Sequence, residues 1–282
     1  MGKIAITSDC TCDLSDKILD EYDIKLIYFY IHVDYGRFKD SYEITAANVL
    51  EYLEGGGKTM AALSPDIEEI SDFYEQLFKQ YDEIIHISIS SKISESYENV
   101  MEAAKRFEGK VHVIDGGHLS TGTGHLVLRA AELVREGKSA GEVVEIVEEM
   151  KKKVSTTFIL NKLDCFYRTG RVKVCVCKVC EVLKIHPVIC MKNGKMVLKG
   201  IQCGDFENSV MRYVRKELHK ESQIHKKRVF ITHSNCRVGL ISKVKKKMQE
   251  YCNFEKVYVT KASATITGNC GADTIGVLFV RK

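Results

Sequence analysis

The chain of 282 residues contains no tryptophan and only two prolines, Pro65 and Pro187. So little proline excludes a collagen-like or Pro-rich architecture. No apolar run approaches the 18 or so residues that a membrane-spanning helix requires. Also missing is the pairing of low hydrophobicity with large net charge that keeps a chain disordered, since 45% of the residues are hydrophobic and the net charge is +4. Eleven cysteines make up about 4% of the chain, too sparse for a disulfide-built scaffold, and their number is odd. No basic start followed by an apolar run opens the sequence. The expectation is a globular cytoplasmic protein with free thiols, built as one large domain or two ordinary ones.

What is present is an uneven distribution of charge. Residues 1–153 carry 17 Lys and Arg against 29 Asp and Glu, a net −12, whereas residues 154–282 carry 25 against 9, a net +16. Two lobes with different neighbours follow, divided near residue 153. Local basic clusters, Lys226-Lys227-Arg228 and Lys243 with Lys245-Lys246-Lys247, suit an anionic membrane, nucleic acid or an acidic protein surface; mutual docking of the lobes is the plainer reading.

Residues 1–153 alternate apolar β-rich runs with helical patterns. The runs are Lys3 to Asp9, Ile24 to Val33, Glu83 to Ser90 and Lys110 to Asp115. Between them Ser64 offers an N-cap, with Pro65 at the first helical position, acidic Asp66, Glu68 and Glu69 in the first turn, and apolar residues at helical spacing through Tyr81. Further helices are expected from about Ser94, Thr123 and Ser139. Strand, helix and strand in repetition point to a parallel sheet covered by helices. Residues 154–282 differ: Asn193-Gly194 between two apolar runs is a hairpin signal, and the remaining pattern gives a mixed or antiparallel α+β lobe. With no spacer between the halves, the fold class expected is α/β in two packed lobes with a ligand cleft between them.

Nucleophilic, zinc-protease and phosphate-loop signatures are all incomplete. Gly117 to Gly122 misses the G-x-S-x-G elbow by one residue, Val127 stands where Gly122-Thr123-Gly124 would need its third glycine, and no H-E-x-x-H occurs. Cys175, Cys177 and Cys180 contain one C-x-x-C without the second pair a structural zinc would need, so they read as small apolar residues in a buried strand or helix. No catalytic or metal-ligating set emerges. Hydroxyls stand out instead: Ser90, Ser91, Ser94 and Ser96 lie where the third strand turns into a helix, and Thr59 with Ser64 precedes another. Such strand ends and helix starts attract anions in open parallel sheets, although N-capping also uses serine there.

Several segments together resemble the DegV family of bacterial proteins that bind long-chain fatty acids. Ser8 to Ser15 (SDCTCDLS) resembles the family's T-D-S-T-x-D-L, and Ser88 to Tyr97 its S-S-x-L-S-G-T-Y. Val113 to Ser139 resembles V-I-D-S-x-x-x-S-x-G-x-G and its following helix, Leu163 to Val172 the L-x-x-L-x-x-G-G-R-I segment, and Lys184 to Met196 the K-x-K-P-I-L-x-x-x-D-G-x-I hairpin. The matches run in the family's order from residue 4 to 280.

The resemblance implies a fatty acid between two lobes, its tail in the N-terminal one, with no cofactor beyond a ligand such as palmitate. Its carboxylate would be held by Ser94, by Thr59 (Met60 in a gapless alignment) and by Asn269, which stands where many relatives have histidine; Ser91 lies beside them. Asn269 would keep a hydrogen bond but give up cationic help. The family glycine after the serine is Glu95 here, and Ile201 to Gly204 lacks the arginine of members that deliver acyl chains to a fatty-acid kinase. The implied function is that of an acyl carrier, with a fatty-acid kinase subunit and an anionic membrane as partners and no nucleic acid. Two other classes stay open: a phosphate-handling α/β enzyme, which would need a base or metal, and a nucleic-acid regulator using the basic half, which shows no helix-turn-helix or RNA-binding signature.

Overall fold

Apolar alternation and helix caps translate into 13 strands and 11 α-helices in the computed structural model, which describes residues 2–58 and 60–282. Chain order begins β1 (Ile4–Asp9), α1 (Asp16–Tyr22), β2 (Ile24–Ile27), β3 (Tyr30–Val33), β4 (Gly36–Lys39), α2 (Ala46–Glu54), β5 (Met60–Leu63) and α3 (Ile67–Leu77). It continues through β6 (Glu83–Ser88), α4 (Ser96–Ala104), β7 (Val111–Asp115), α5 (Thr121–Arg135), α6 (Ala140–Lys151), β8 (Val154–Ile159), α7 (Asp164–Arg168) and α8 (Val174–Val182). The last third holds β9 (Ile185–Lys192), β10 (Lys195–Cys203), α9 (Phe206–Leu218), β11 (Ile224–Ser234), α10 (Val238–Tyr251), β12 (Val257–Lys261), α11 (Ala264–Cys270) and β13 (Thr274–Arg281). Among the described residues no helix is long and apolar enough to cross a membrane.

The expected parallel sheet is present, with order β2-β1-β6-β7 and every pair parallel. A six-stranded sheet of order β10-β9-β8-β13-β11-β12 is antiparallel except for the β11–β12 pair, so the second half is mixed as expected. Its β9–β10 hairpin turns at Asn193 (φ 51) and Gly194 (φ 78), left-handed values that Asn-Gly adopts at least cost.

Three expectations need correction. The run Ile24 to Val33 is two strands in different sheets, because the chain breaks at Phe29, whose N–H donates to Cys10 Sγ at 3.4 Å and whose carbonyl accepts from Asp40 at 2.8 Å. Beyond that break β3 joins β4 and β5 in a separate three-stranded antiparallel sheet. The third helix is capped by Asp66, which accepts the Glu69 N–H at 2.9 Å, and starts at Ile67 rather than at Pro65, since the carboxylate outcompetes the Ser64 hydroxyl as acceptor. The cysteines of residues 175–180 are not buried: they lie on α8, a helix with no buried residue, whose Val182 is 79% exposed.

The halves share their cores. One cluster joins Ile6, Ile87 and Leu126 to Val154, Phe230 and Leu278, and another joins Phe29, Ile89 and Leu119 to Phe158, Phe166 and Ile266. Charge asymmetry is spent partly at this junction. Arg228, almost wholly buried, donates two bonds of 2.8 Å to Glu132 on α5, and Lys227 adds a third at 3.0 Å. Burial alone would raise the Glu132 carboxyl, but Arg228 and Lys227 hold it below the usual carboxylate range. Two of the three residues in the Lys226 cluster therefore serve docking of the halves.

Candidate functional site

A cavity of about 380 Å³ opens where these shared cores meet. Its walls come from the β5 strand, the turn between β6 and α4, the segment after α7, the start of β10 and one side of α11. Phe29, Ile89, Ile93, Leu119, Met196 and Ile266 make the lining apolar. Behind Leu119, Ile266 and Cys270, which line both, lies a chamber of about 30 Å³ bounded by Phe158 and Leu278. A larger open cleft of about 840 Å³ runs between α5, α6 and the β11–β13 ends, but charged side chains such as Glu142, Glu145, Lys227 and Arg281 dominate it. An apolar wall converging on a few polar groups belongs to the smaller cavity, the pattern of a ligand site.

Two buried carboxylates fix α11 against the cavity. Asp40 accepts the N–H groups of Ala264 and Thr265, both at 2.8 Å, and Asp13 accepts the Ser263 N–H at 2.9 Å together with the Ser120 hydroxyl at 2.5 Å. These are the N–H groups a helix start leaves unpaired, and negative charge is favourable there. Burial pushes the Asp13 carboxyl up to about 7, while the bonds from Ser120 and Ser263 pull it down. Neither aspartate touches the cavity; both act by placing the helix that does.

Asp9 does the same for the opposite wall. Its carboxylate accepts from Ser88 Oγ (3.0 Å), Ile89 N–H (2.6 Å) and Ser96 Oγ (2.6 Å), pinning both ends of the turn that carries Ser94. Ser94 lines the cavity, and its oxygen accepts the Ser96 N–H at 3.2 Å, so the hydroxyl proton remains available to a ligand.

The structure brings Ser94 and Asn269 to one cavity. Ser91 is not in its lining: the N–H and hydroxyl of Ser91 both go to Asp115, at 3.1 and 2.6 Å. Thr59 lies outside the described residues; Met60 beside it is in the cavity wall. Asn269 itself is differently engaged from the expectation. One amide N–H donates to the Thr265 carbonyl at 2.8 Å, and its oxygen accepts Arg171 Nη1 at 2.9 Å.

Arg171 is the residue that reading the sequence overlooked as a site group, although it is the arginine of the segment resembling G-G-R-I. It lines the cavity, is exposed at the rim, and supplies the cation that an asparagine at 269 cannot. Burial pushes the neighbouring Cys270 thiol up to about 12 despite the lowering effect of Arg171, so this cysteine is an uncharged wall residue. Thr265, another wall residue, carried no sequence signal. Glu95 also borders the cavity, a carboxylate facing the site of an expected anion.

The fold is therefore an α/β class in which two packed halves enclose an apolar cavity lined also by a serine and an arginine. The profile of the DegV family, described as uncharacterised proteins, matches residues 3–282, and the chain belongs to that family. A DegV domain-containing protein of Staphylococcus aureus is 25% identical over 283 residues, covering 100% of both chains, and one from Deinococcus radiodurans is 28% identical over 75% of this chain and 77% of its own. Among solved structures, a fatty-acid-binding DegV family protein from Thermus thermophilus superposes with a TM-score of 0.87 at 22% identity, covering 99% of this chain and 100% of that one. DegV of Bacillus subtilis, a fatty acid binding protein, gives 0.83 at 21% identity with 100% of both chains covered.

Proposed function

We propose that this protein binds a long-chain fatty acid non-covalently, with the tail in the apolar cavity and the carboxylate at its rim, and acts as a carrier. The carrying observation is that Ser94 and Arg171 both line a cavity whose walls include Phe29, Ile89, Leu119 and Ile266. Relatives described as fatty-acid-binding, and a Eubacterium eligens family member loaded with heptadecanoic acid, support the same ligand class. Burying some 14 methylenes at roughly 0.8 kcal/mol each gives on the order of 11 kcal/mol before ordering costs. The head group then needs only compensation, because an unpaired buried carboxylate costs several kcal/mol. Ser94 donates one hydrogen bond, Arg171 donates charge-assisted ones, and Thr59 is the further hydroxyl proposed for this role.

No step of bond making is assigned to the cavity, and any chemistry on the acid belongs to a separate kinase subunit. Loading from an anionic membrane is supported by α8, the helix that follows Arg171 in the chain, whose Val174, Val176, Val179 and Val182 are exposed, with Lys173 at its N-cap and Lys178 among them. Extraction of the purified protein with organic solvent followed by mass spectrometry tests the reading. One long-chain acid per chain, diminished in Ser94→Ala, is the expected result; a protein that neither retains nor takes up any acid overturns it.

A further inference from the structure

Arg171 lines the main cavity and is exposed, yet its guanidinium is already held by three groups. Nη1 donates to Thr169 Oγ1 at 2.5 Å and to Asn269 Oδ1 at 2.9 Å, and Cζ lies over the Phe166 ring, 5.8 Å from its centroid. Both acceptors are fixed in turn. The Thr169 hydroxyl gives its proton to the Cys165 carbonyl at 2.8 Å, which leaves the lone pairs of its oxygen for Arg171. Asn269 donates to the Thr265 carbonyl at 2.8 Å, which sets its amide with the oxygen toward the guanidinium. The backbone is tied as well, the Arg171 N–H donating to the Phe166 carbonyl at 2.8 Å. An exposed arginine otherwise samples many rotamers and gives them up when it binds, a cost that prior fixing removes.

Nη1 has two hydrogens and, in Thr169 and Asn269, two acceptors. Among the described residues the N–H groups left without a partner are therefore those of Nε and Nη2, one edge of the planar fork, which matches the two oxygens of a single carboxylate. We propose that Thr169 is a positioning residue for the acid head group: with Asn269 it holds Nη1, so that Arg171 meets the carboxylate side-on through Nε and Nη2 rather than end-on through both Nη atoms. The head group selected is negative and carries two coplanar acceptors; an alcohol on the same chain brings one acceptor and no charge. This rests on the fatty-acid reading above and adds what sets its head-group specificity. Valine at 169 would keep the shape of threonine but remove the acceptor, leaving Nη1 one partner and the fork free to swing.

The test is equilibrium binding of hexadecanoic acid and of hexadecanol, which has the same tail and a neutral head, to delipidated wild type, Thr169→Val and Thr169→Ser, each also carrying Arg171→Gln. Thr169→Val should weaken hexadecanoic acid about fivefold or more while leaving hexadecanol within about twofold of wild type. Thr169→Ser, which keeps the oxygen, should recover most of the lost affinity. With Arg171→Gln in place, Thr169→Val should change acid binding by less than about twofold, because it acts through the guanidinium. Equal weakening of acid and alcohol overturns the proposal, since Thr169 would then only support the wall, and so does an effect of Thr169→Val that survives in Arg171→Gln. Wild-type affinity for the acid in Thr169→Val overturns it too and leaves the carrier reading standing. If wild type binds no hexadecanoic acid, the parent reading and this one fail together.

Discussion

The Ser90 hydroxyl donates to the Gly194 carbonyl at 2.8 Å, joining residues 104 apart and fastening the tip of the β9–β10 hairpin to the turn that carries Ser94. The approach is so close that a Cβ on Gly194 would lie 2.8 Å from the Ser90 oxygen, and Gly194 already needs a φ of 78. Met196, the second residue of β10, lines the cavity, so the bond that holds the hairpin tip also bears on this wall of the site.

Ser90→Ala should therefore speed exchange of bound acid severalfold while changing stability by only about 1 kcal/mol, the worth of one hydrogen bond. Stopped-flow displacement of a fluorescent fatty acid measures the first, and urea unfolding the second. Gly194→Ala should cost more in stability, about 1–3 kcal/mol, because it combines a clash with a left-handed backbone. An exchange rate in Ser90→Ala equal to wild type would show that the hairpin is not the exit.

Arg171 supplies the cation at the rim and leans on Asn269 as its acceptor. Arg171→Gln should weaken acid binding about tenfold or more, and the loss should shrink as salt rises, since an exposed guanidinium is screened. Asn269→His should fail to tighten binding at pH 6: a protonated imidazole offers Arg171 no acceptor and places a second positive charge against it. Tighter binding in Asn269→His would show that the histidine of other relatives acts independently of Arg171.

How far the sequence revealed this site follows from what each residue does. Ser94 was legible because a run of serines after an apolar strand is a local pattern, and the β9–β10 hairpin because Asn-Gly encodes its own turn. Arg171 and Asn269 meet only through the packing of α7 against α11, elements from segments 98 residues apart, which no periodicity reports. The split of Ile24 to Val33 escaped detection because both strands satisfy the same apolar pattern; only the contacts of Phe29 with Cys10 and Asp40 separate them. Asp40 carries no local signal, and Asp13 stands only within the Ser8 to Ser15 motif, because the N–H groups they accept come from the distant start of α11.

Glu95 borders the cavity beside Ser94 but remains exposed, so its repulsion of a carboxylate is partly screened. Glu95→Gln should tighten acid binding by about two- to fivefold at low salt, with the gain fading as the Debye length falls to about 8 Å near physiological ionic strength. Isothermal titration at two salt concentrations reads this directly. A weaker binder would mean that Glu95 bonds the ligand instead of opposing it.

His125, buried in α5, has Nε2 3.0 Å from the Leu278 carbonyl and its ring edge-on to Phe230, centroids 4.8 Å apart. Burial pushes its pKa down to about 3, with Arg228 adding to the lowering. The folded protein thus keeps this imidazole neutral at pH values where the unfolded chain, near the ordinary 6.5, takes up a proton. Its contribution to stability is complete above about pH 6.5 and is lost progressively as pH falls toward 3, amounting to about 2 kcal/mol by pH 5 at 1.36 kcal/mol per unit. Asp13, with its carboxyl raised to about 7, works in the opposite direction over the same range, so the wild-type curve alone cannot isolate either group. The difference between wild type and His125→Gln can, because Asp13 is common to both. His125→Gln should be less stable than wild type at pH 7, through disturbed packing against Phe230, and the gap should narrow by about 2 kcal/mol in urea unfolding at pH 5. A gap independent of pH would mean that His125 is already charged in the folded protein, or that the unfolded chain does not protonate it.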